Sequence, residues 1–218
     1  MHQTKSLGRC SIAAALAAAL LIWPAAGFAQ LPLPLPLPSP SPTTSSTVVG
    51  DASAAQVSLL GILGTATTTA LADTGPIGSN DALDASMVTG GVPSTLTAET
   101  LSSTAISYAD EVDSAASLGN LSVTVAGIGV TADFVMAQAS QVLGAPGSGS
   151  STLTNLSING TPIAVSGAPN QAISVPGGQV IINEQTISST GTAVVNALHV
   201  VVTGVADVVI ASATAGIS

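Results

Sequence analysis

Positively charged side chains are almost absent from this sequence of 218 residues. Lys5 and Arg9 are its only Lys and Arg residues, against eleven Asp and Glu residues. Beyond residue 29 no Lys or Arg remains while all eleven acidic residues do, so that part carries a formal charge of −11. Binding to nucleic acid and attraction to an anionic membrane surface both require cationic side chains. The sequence therefore excludes both kinds of partner for the chain beyond residue 29.

Aromatic residues and cysteine are nearly as scarce. Beyond residue 29 the aromatic residues are Tyr108 and Phe134, while Trp23 and Cys10 both precede that point. Two isolated rings cannot build a platform on which bases or sugars stack. Without cysteine, no disulfide can form beyond residue 29. A folded core in this chain must therefore consist of Val, Ile, Leu and Ala.

The first 29 residues have the features of a secretory signal peptide. After the basic start, Ser11 to Ile22 is an apolar run that is too short to span a membrane. Gly27 and Ala29 supply the small residues that a signal peptidase requires. We predict cleavage after residue 29 and export of a chain that has no later membrane-spanning segment, to the extracellular space, the cell surface or the periplasm.

A proline-rich segment follows the predicted cleavage point. Gln30 to Pro42 reads QLPLPLPLPSPSP, which predicts a polyproline II stalk of about 40 Å at ~3.1 Å per residue. We assign residues 1–29 to the signal peptide, 30–50 to a Pro/Ser/Thr-rich linker and 51–218 to a single domain.

Short apolar segments separated by turn residues fill the remainder. Asn159-Gly160 predicts a type I′ hairpin, and Pro176 to Gly178 predicts a second reversal. Ala193 to Val202 is apolar at nearly every position, which predicts a strand buried on both faces. Gly90-Gly91 is expected to form a loop. We predict an all-β fold, an antiparallel β-sandwich of short strands, with a β-solenoid as the alternative.

Two segments of the chain also resemble each other. Ala132 to Ser140 and Ala206 to Thr214 share five of nine residues, and each follows an apolar strand across a glycine. This similarity is consistent with two pseudo-symmetric sheets, and two copies are too few to indicate a repeat protein.

Four segments resemble the bacterial choice-of-anchor P family. They read NLSINGTPIAV, PNQAISVPGGQVIINEQ, TAVVNALHVVV and ADVVIASATAGI, in this order. Members of that family are exported proteins that are attached to the cell surface in different ways. The resemblance implies export and a role at the cell envelope, and it brings no activity or catalytic residues with it.

Asp73 is the first residue considered for chemistry. Asp73-Thr74-Gly75 matches the short signature of aspartic proteases, whose mechanism requires two carboxylates that share a proton. A single copy of this signature would have to act in a homodimer, as a dimeric aspartic hydrolase. The more common role of such an aspartate is to bond its own backbone in a turn.

Asp110, Glu111 and Asp113 form the densest acidic cluster in the sequence. Calcium prefers several oxygen ligands, so these residues are candidates for a calcium site in an extracellular binding module. The alternative is a solvated acidic edge. No other cofactor is expected.

His199 is the remaining candidate. We place it on the same strand face as Val195, Ala197 and Val201, packed in or beside a sheet. Without a cysteine or a second histidine nearby, it lacks the partners of a zinc ligand. We therefore predict no catalytic residues and a secreted, non-catalytic structural or cell-envelope interaction module, whose partner is an unknown envelope or extracellular component.

Overall fold

A computed structural model describes residues 46–61 and 65–218. The predicted signal peptide and most of the predicted linker lie outside the described residues. The first strand begins at Val48, where Val48 pairs with Ile217, so the sheet starts within the segment assigned to the linker.

The described residues form thirteen strands and no helix. Consequently, they contain no helix that is long and apolar enough to cross a membrane. The strands are β1 Val48–Leu60, β2 Ala66–Asp73, β3 Ala82–Val92, β4 Leu96–Ser107, β5 Glu111–Val125, β6 Ile128–Val142, β7 Ser148–Thr154, β8 Ser157–Ile158, β9 Thr161–Pro162, β10 Gln171–Val175, β11 Gly178–Ile187, β12 Ala193–Val202 and β13 Ala206–Ile217.

The strands assemble into two antiparallel sheets. Sheet I has the order β10-β11-β12-β13-β1-β2, and sheet II has the order β3-β4-β5-β6-β8-β9 with β7 also paired to β6. The sheets face each other, since β1 contacts β4 and β5 while β13 contacts β5 and β6. The predicted β-sandwich is therefore confirmed, and the β-solenoid alternative is wrong.

The two predicted reversals are present. Asn159 and Gly160 both have positive φ, at 50° and 75°, as a type I′ turn between β8 and β9 requires. Gly177 turns the chain from β10 to β11 with a φ of 76°.

The predicted loop at Gly90-Gly91 is wrong, because both residues lie inside β3. A Cβ atom on Gly91 would stand 2.6 Å from the carbonyl oxygen of Leu96. The glycine at this position allows the backbone of β4 to approach closely, which is a role that glycine also has within strands.

The core is aliphatic, as the composition requires, and the two similar sequence segments meet across it. They correspond to β6 and β13, each of which is the second strand of a hairpin, β5–β6 in sheet II and β12–β13 in sheet I. These two strands contact each other between the sheets. The similarity in sequence therefore matches equivalent positions in two facing hairpins.

A line of residues across sheet I reverses the alternation of inward and outward side chains. This inversion row consists of Ala72, Ala54, Ala211, Ala197 and Asn183, one residue on each of β2, β1, β13, β12 and β11. Three of them have positive φ: Ala72 at 45°, Ala211 at 52° and Asn183 at 53°. At the row, two consecutive residues of a strand are buried, for example Ala54 with Ala55 and Ile210 with Ala211.

Sheet II carries the opposite feature. On its central strands two consecutive residues are turned outward: Glu99 with Thr100, Gly119 with Asn120, and Asp133 with Phe134. Thr100 and Asn120 have positive φ, at 48° and 46°. Along the inversion row of sheet I, an additional side chain of each strand is thus buried in the core, whereas on the central strands of sheet II an additional side chain faces outward.

The inversion row corrects the prediction that β12 is buried on both faces. Val195 and Ala197 are buried before the reversal, and Leu198 and Val200 are buried after it. The outward residues of β12 are half-buried, because one face of sheet I is open to solvent. The uninterrupted apolar pattern therefore reflects a change of face within one strand and not a strand enclosed on both sides.

Ser103 gives a first prediction about stability. Its side chain is buried on β4, and its hydroxyl has no hydrogen-bond partner among the described residues. Since a buried unsatisfied hydroxyl is costly, Ser103→Ala is expected to raise the free energy of unfolding by about 1 kcal/mol. Urea denaturation measures the change.

Ser107 on the same strand is the matched control. Its hydroxyl accepts a hydrogen bond from the backbone N–H of Asp81 at 3.0 Å and donates to the carbonyl of Gly78. Ser107→Ala should therefore lower stability, and a loss of stability in both variants would contradict the assignment of Ser103.

Candidate functional site on the outer face of sheet I

His199 lies on the outer face of sheet I between two carboxylates. Its Nδ1 is 2.9 Å from Oε2 of Glu184 on β11, and its Nε2 is 3.0 Å from Oδ1 of Asp207 on β13. The His199 side chain is only 15% exposed, whereas that of Asp207 is 55% exposed. One imidazole thus links three neighbouring strands.

Asn196 completes the cluster. Its Nδ2 donates to Oε2 of Glu184 at 2.7 Å, so this carboxylate oxygen accepts from Asn196 while it also contacts the imidazole. Asn196 lies directly opposite Glu184 in the sheet, on the far side of the inversion row from His199. The His199–Glu184 contact therefore bridges the line along which the sheet changes face. We call Glu184, Asn196, His199 and Asp207 the imidazole clasp.

The inversion row also corrects the predicted surroundings of His199. Val195 and Ala197 are buried in the core, while His199 and Val201 are on the outer face. The positive-φ residues of β11 and β13 next to Ala197 accompany this change of face. His199 is beside the sheet, as predicted, but it does not share a face with Val195 and Ala197.

The clasp has a geometry that differs from a catalytic triad. In a triad a carboxylate holds one imidazole nitrogen, and the other nitrogen faces the nucleophile. Here each ring nitrogen lies at hydrogen-bond distance from a carboxylate oxygen. An imidazole with protons on both nitrogens can donate to both carboxylates, and a neutral ring can donate to only one of them. The arrangement is suited to holding strands together.

Sequence reasoning missed both carboxylate partners of His199. Asp207 lies opposite Val201 and His199 lies opposite Val209, which makes His199 and Asp207 diagonal neighbours. β12 and β13 are joined by the short turn Thr203 to Val205. If this turn had been recognised in the sequence, the pairing of the two strands, and with it the proximity of Asp207 to His199, could have been predicted. Glu184 could not have been found in this way, because its reach to His199 depends on the inversion row.

Asp73 is in a second polar group, at the β1–β2 side of the same sheet. Its Oδ1 accepts a hydrogen bond from the backbone N–H of Gly75 at 3.0 Å, the turn interaction that the sequence predicts. The hydroxyl of Thr74 accepts from the N–H of Ala52 at 3.0 Å and lies 3.4 Å from Oδ1 of Asp51.

Asp51 brings a second carboxylate close to Asp73 within one chain. Burial raises the pKa of the Asp51 carboxyl above its ordinary value, and the negative charge of Asp73 raises it further. Asp51 is a neighbour that the Asp73 motif alone does not reveal, and the dimeric aspartic hydrolase stays a prediction.

The raised pKa predicts a dependence of stability on pH. A carboxyl whose pKa is higher in the folded state destabilises the fold when it is ionised, and this penalty disappears as the pH falls through that pKa towards the ordinary 3.8. Asp51→Asn is therefore expected to raise the free energy of unfolding at neutral pH, with a gain that shrinks towards acid pH.

Denaturant titrations across this pH range measure the effect, with Asp84→Asn as the control. Asp84 is exposed on β3, so its substitution removes the same formal charge away from Asp73. An equal gain for both variants, or a gain for Asp51→Asn that does not change with pH, would contradict the prediction.

The predicted calcium ligands lie along the start of β5. The backbone carbonyl of Asp110 accepts from the N–H of Leu143 at 2.7 Å, while Glu111 and Asp113 are two residues apart and both half-buried. Asp113 lines an open groove of about 440 Å³ on the outer face of sheet II. In the described part of the chain, no three His, Cys, Asp or Glu side chains are grouped so that they could hold a metal ion. Calcium binding by these residues stays a prediction.

Comparisons with known proteins give no further assignment. No family model matches the chain, and neither a curated protein nor a solved structure matches it. The resemblance to the choice-of-anchor P family stays a prediction from the sequence.

Proposed function

We propose that this protein is an exported, non-catalytic module that interacts with a component of the cell envelope or the extracellular space. Export is supported by the basic, apolar and small-residue pattern of residues 1–29 and by the proline-rich stalk that follows. The resemblance to the choice-of-anchor P family supports the same location.

The observation that carries the non-catalytic part of the proposal is the imidazole clasp. His199 is the only histidine after residue 29, and both of its ring nitrogens are at hydrogen-bond distance from carboxylates. General-base catalysis by histidine requires a nitrogen that can reach the proton of a substrate or nucleophile. The clasp directs both nitrogens to neighbouring strands, so its geometry favours a structural role.

The surface chemistry supports a partner that is not strongly acidic. The described residues include all eleven Asp and Glu and no Lys or Arg. A surface of this kind repels other polyanions and attracts cationic groups within a Debye length, which is about 8 Å at physiological ionic strength.

Fractionation of the producing cells tests the location. The tagged protein is followed in cytosol, periplasm, membrane, cell surface and medium, and surface exposure is probed with a protease that does not cut at Lys or Arg. We expect the protein in the periplasm, on the surface or in the medium, in a form shortened by the predicted signal. Retention in the cytosol at full length would overturn the proposal.

An activity screen tests the non-catalytic part. Hydrolase substrates are offered to the wild type and to Asp73→Ala and His199→Ala, and we expect no turnover by any of the three. Turnover by the wild type that either substitution abolishes would show that the proposal is wrong and that the corresponding polar group is catalytic.

Calcium-dependent binding is the alternative function. A ligand far above its dissociation constant must stabilise the fold to which it binds. If calcium binds at β5, millimolar calcium will raise the Tm of the wild type but not that of Asp113→Asn, while Asp84→Asn will respond like the wild type. An unchanged Tm for the wild type would remove this alternative.

A further inference from the structure

The free edges of the two sheets differ in how well they are protected. The edge of β7 is covered by two hydrogen bonds. Nε2 of Gln185 on β11 donates to the backbone carbonyl of Gly149 at 3.1 Å, and the N–H of Gly147, just before β7, donates to the backbone carbonyl of Gly191. β9 has two residues and ends in Pro162, which lacks an N–H. β10 has five residues. These are recognised ways in which proteins prevent edge-to-edge pairing.

The eight-residue edge strand β2 of sheet I contacts β3 without pairing with it, and β3 is longer than every other edge strand and lacks the protections described above. It has eleven residues and pairs with β4 alone among the described strands. Its sequence ALDASMVTGGV contains no Lys, Arg or Pro, and its one charged residue is Asp84. An edge of this length offers a row of backbone donors and acceptors to another strand.

Two apolar side chains are exposed at the middle of this edge. Val88 is 82% exposed and Met87 is 39% exposed, so Val88 is the most exposed of the large apolar residues in the described part of the chain. Apolar side chains gain about 25 cal/mol for each Å² that is removed from water. Their position at the centre of an edge strand, and not at one end, suits a symmetrical contact.

We propose that β3 is a dimer interface, at which a second copy of this chain pairs its own β3 in antiparallel orientation. A two-fold axis near Val88 makes the contact self-complementary, which is the usual geometry of a homodimer. The pairing joins two seven-stranded sheets edge to edge and brings the two Val88 side chains together.

The acidic charge of the chain does not oppose this particular contact. With the axis at Val88, the two Asp84 side chains are eight positions apart along the paired strands, or about 26 Å at ~3.3 Å per residue. This separation is well beyond the Debye length of about 8 Å at physiological ionic strength. Repulsion between these two carboxylates is therefore largely screened.

The nearest carboxylate on the neighbouring strand is turned away from the edge. This residue is Glu99 on β4, which lies opposite Thr89 on β3. Its Oε2 accepts a hydrogen bond at 2.7 Å from Nδ2 of Asn120 on β5. This bond directs the Glu99 side chain towards the interior of the sheet. The centre of β3 is thus an uncharged strip in an otherwise acidic molecule.

Analytical ultracentrifugation of the purified protein tests the proposal, with Val88→Lys as the disrupting variant. We expect a concentration-dependent dimer for the wild type and a monomer for Val88→Lys, because the substitution places two cations side by side on the axis. Val165→Lys is the matched control, since Val165 is an exposed valine in a loop outside β3. Val88→Lys should keep the β-sheet circular dichroism of the wild type, while Val165→Lys should keep the wild-type Tm and dimerise like the wild type.

Cross-linking gives an independent test of the register. In a Cys10→Ser background, Val88→Cys should form a disulfide-linked dimer on mild oxidation, since directly opposed residues of antiparallel strands have Cβ atoms about 5 Å apart. Val165→Cys should not. Raising the salt from about 0.05 to about 0.5 M should strengthen the dimer, because two acidic chains repel each other less when screened.

Three results would overturn the proposal. A wild type that stays monomeric at every protein and salt concentration tested has no such interface. A dimer that persists in Val88→Lys uses another surface. A Val88→Cys variant that cross-links no faster than Val165→Cys does not bring the two strands together.

Discussion

Replacing Ala211 by Val is expected to destabilise the fold by about 3 kcal/mol or more, as measured by urea denaturation. Ala211 is fully buried in the inversion row and has a φ of 52°. The left-handed region is unfavourable for a residue with a Cβ atom and worse for a β-branched one. Two extra methyl groups must also fit where sheet I presses against the core.

Ala213→Val separates the two causes. Ala213 lies on the same strand and is equally buried, but it is outside the inversion row and does not have a positive φ. Its substitution adds the same two methyl groups without the penalty of the backbone conformation, so we expect a loss of about 1–2 kcal/mol. A loss for Ala211→Val no greater than that for Ala213→Val would show that the left-handed conformation carries no cost.

Ala211→Gly completes the series. Glycine removes the unfavourable contact of the Cβ atom but loses a buried methyl group and gains freedom in the unfolded chain. The relief of the backbone strain and the two losses are each about 1 kcal/mol, so the two losses together exceed the relief and a net loss of about 1 kcal/mol is expected. Alanine is therefore a compromise at this position, because it is small enough for the row and still contributes to the core.

The inversion row also explains which parts of the fold could be predicted from the sequence. The turn at Asn159-Gly160 and the reversal at Gly177 follow from residues that tolerate positive φ, and both are present. Alternation with a period of two then predicts which side chains of a strand face the core. That rule fails where alanine adopts positive φ in the middle of a strand, since nothing in its local chemistry indicates it.

The candidate site shows the same limit. The turn role of Asp73 depends on its own backbone and could be predicted. The clasp around His199 depends on register across three strands and on a change of face at Ala197, and its acidic partners are 15 and 8 residues away along the chain. Asp51 is 22 residues from Asp73, and only the pairing of β1 with β2 brings their carboxylates together.

Gln141 joins three parts of the chain at one end of the sandwich, and its loss should be among the most damaging single changes. Its side chain is 2% exposed. Its Nε2 donates to the carbonyls of Ala145 and Thr190 at 3.1 Å each, and its Oε1 accepts from the N–H of Ile217 at 2.9 Å. One amide thus holds the turn after β6, the loop before β12 and the end of β13.

Gln141→Leu keeps the approximate volume of the side chain and removes all three hydrogen bonds, which leaves one N–H and two carbonyls without this partner. Each unsatisfied buried group costs about 1–3 kcal/mol, and the two loop carbonyls can regain water, so we expect a loss of about 3 kcal/mol. For a domain of this size that corresponds to a fall in Tm of about 10 °C.

Gln138→Leu is the control, because Gln138 is exposed on the same strand. Its Oε1 accepts a single long hydrogen bond, from the Ser150 hydroxyl at 3.5 Å. Its substitution should change stability by no more than about 0.5 kcal/mol. Hydrogen exchange distinguishes the local from the global effect: Gln141→Leu should accelerate exchange at Ile217 first, since that N–H loses its acceptor. Equal stability of the two variants would show that water replaces the Gln141 amide and that this end of the sandwich is held by its β-strands alone.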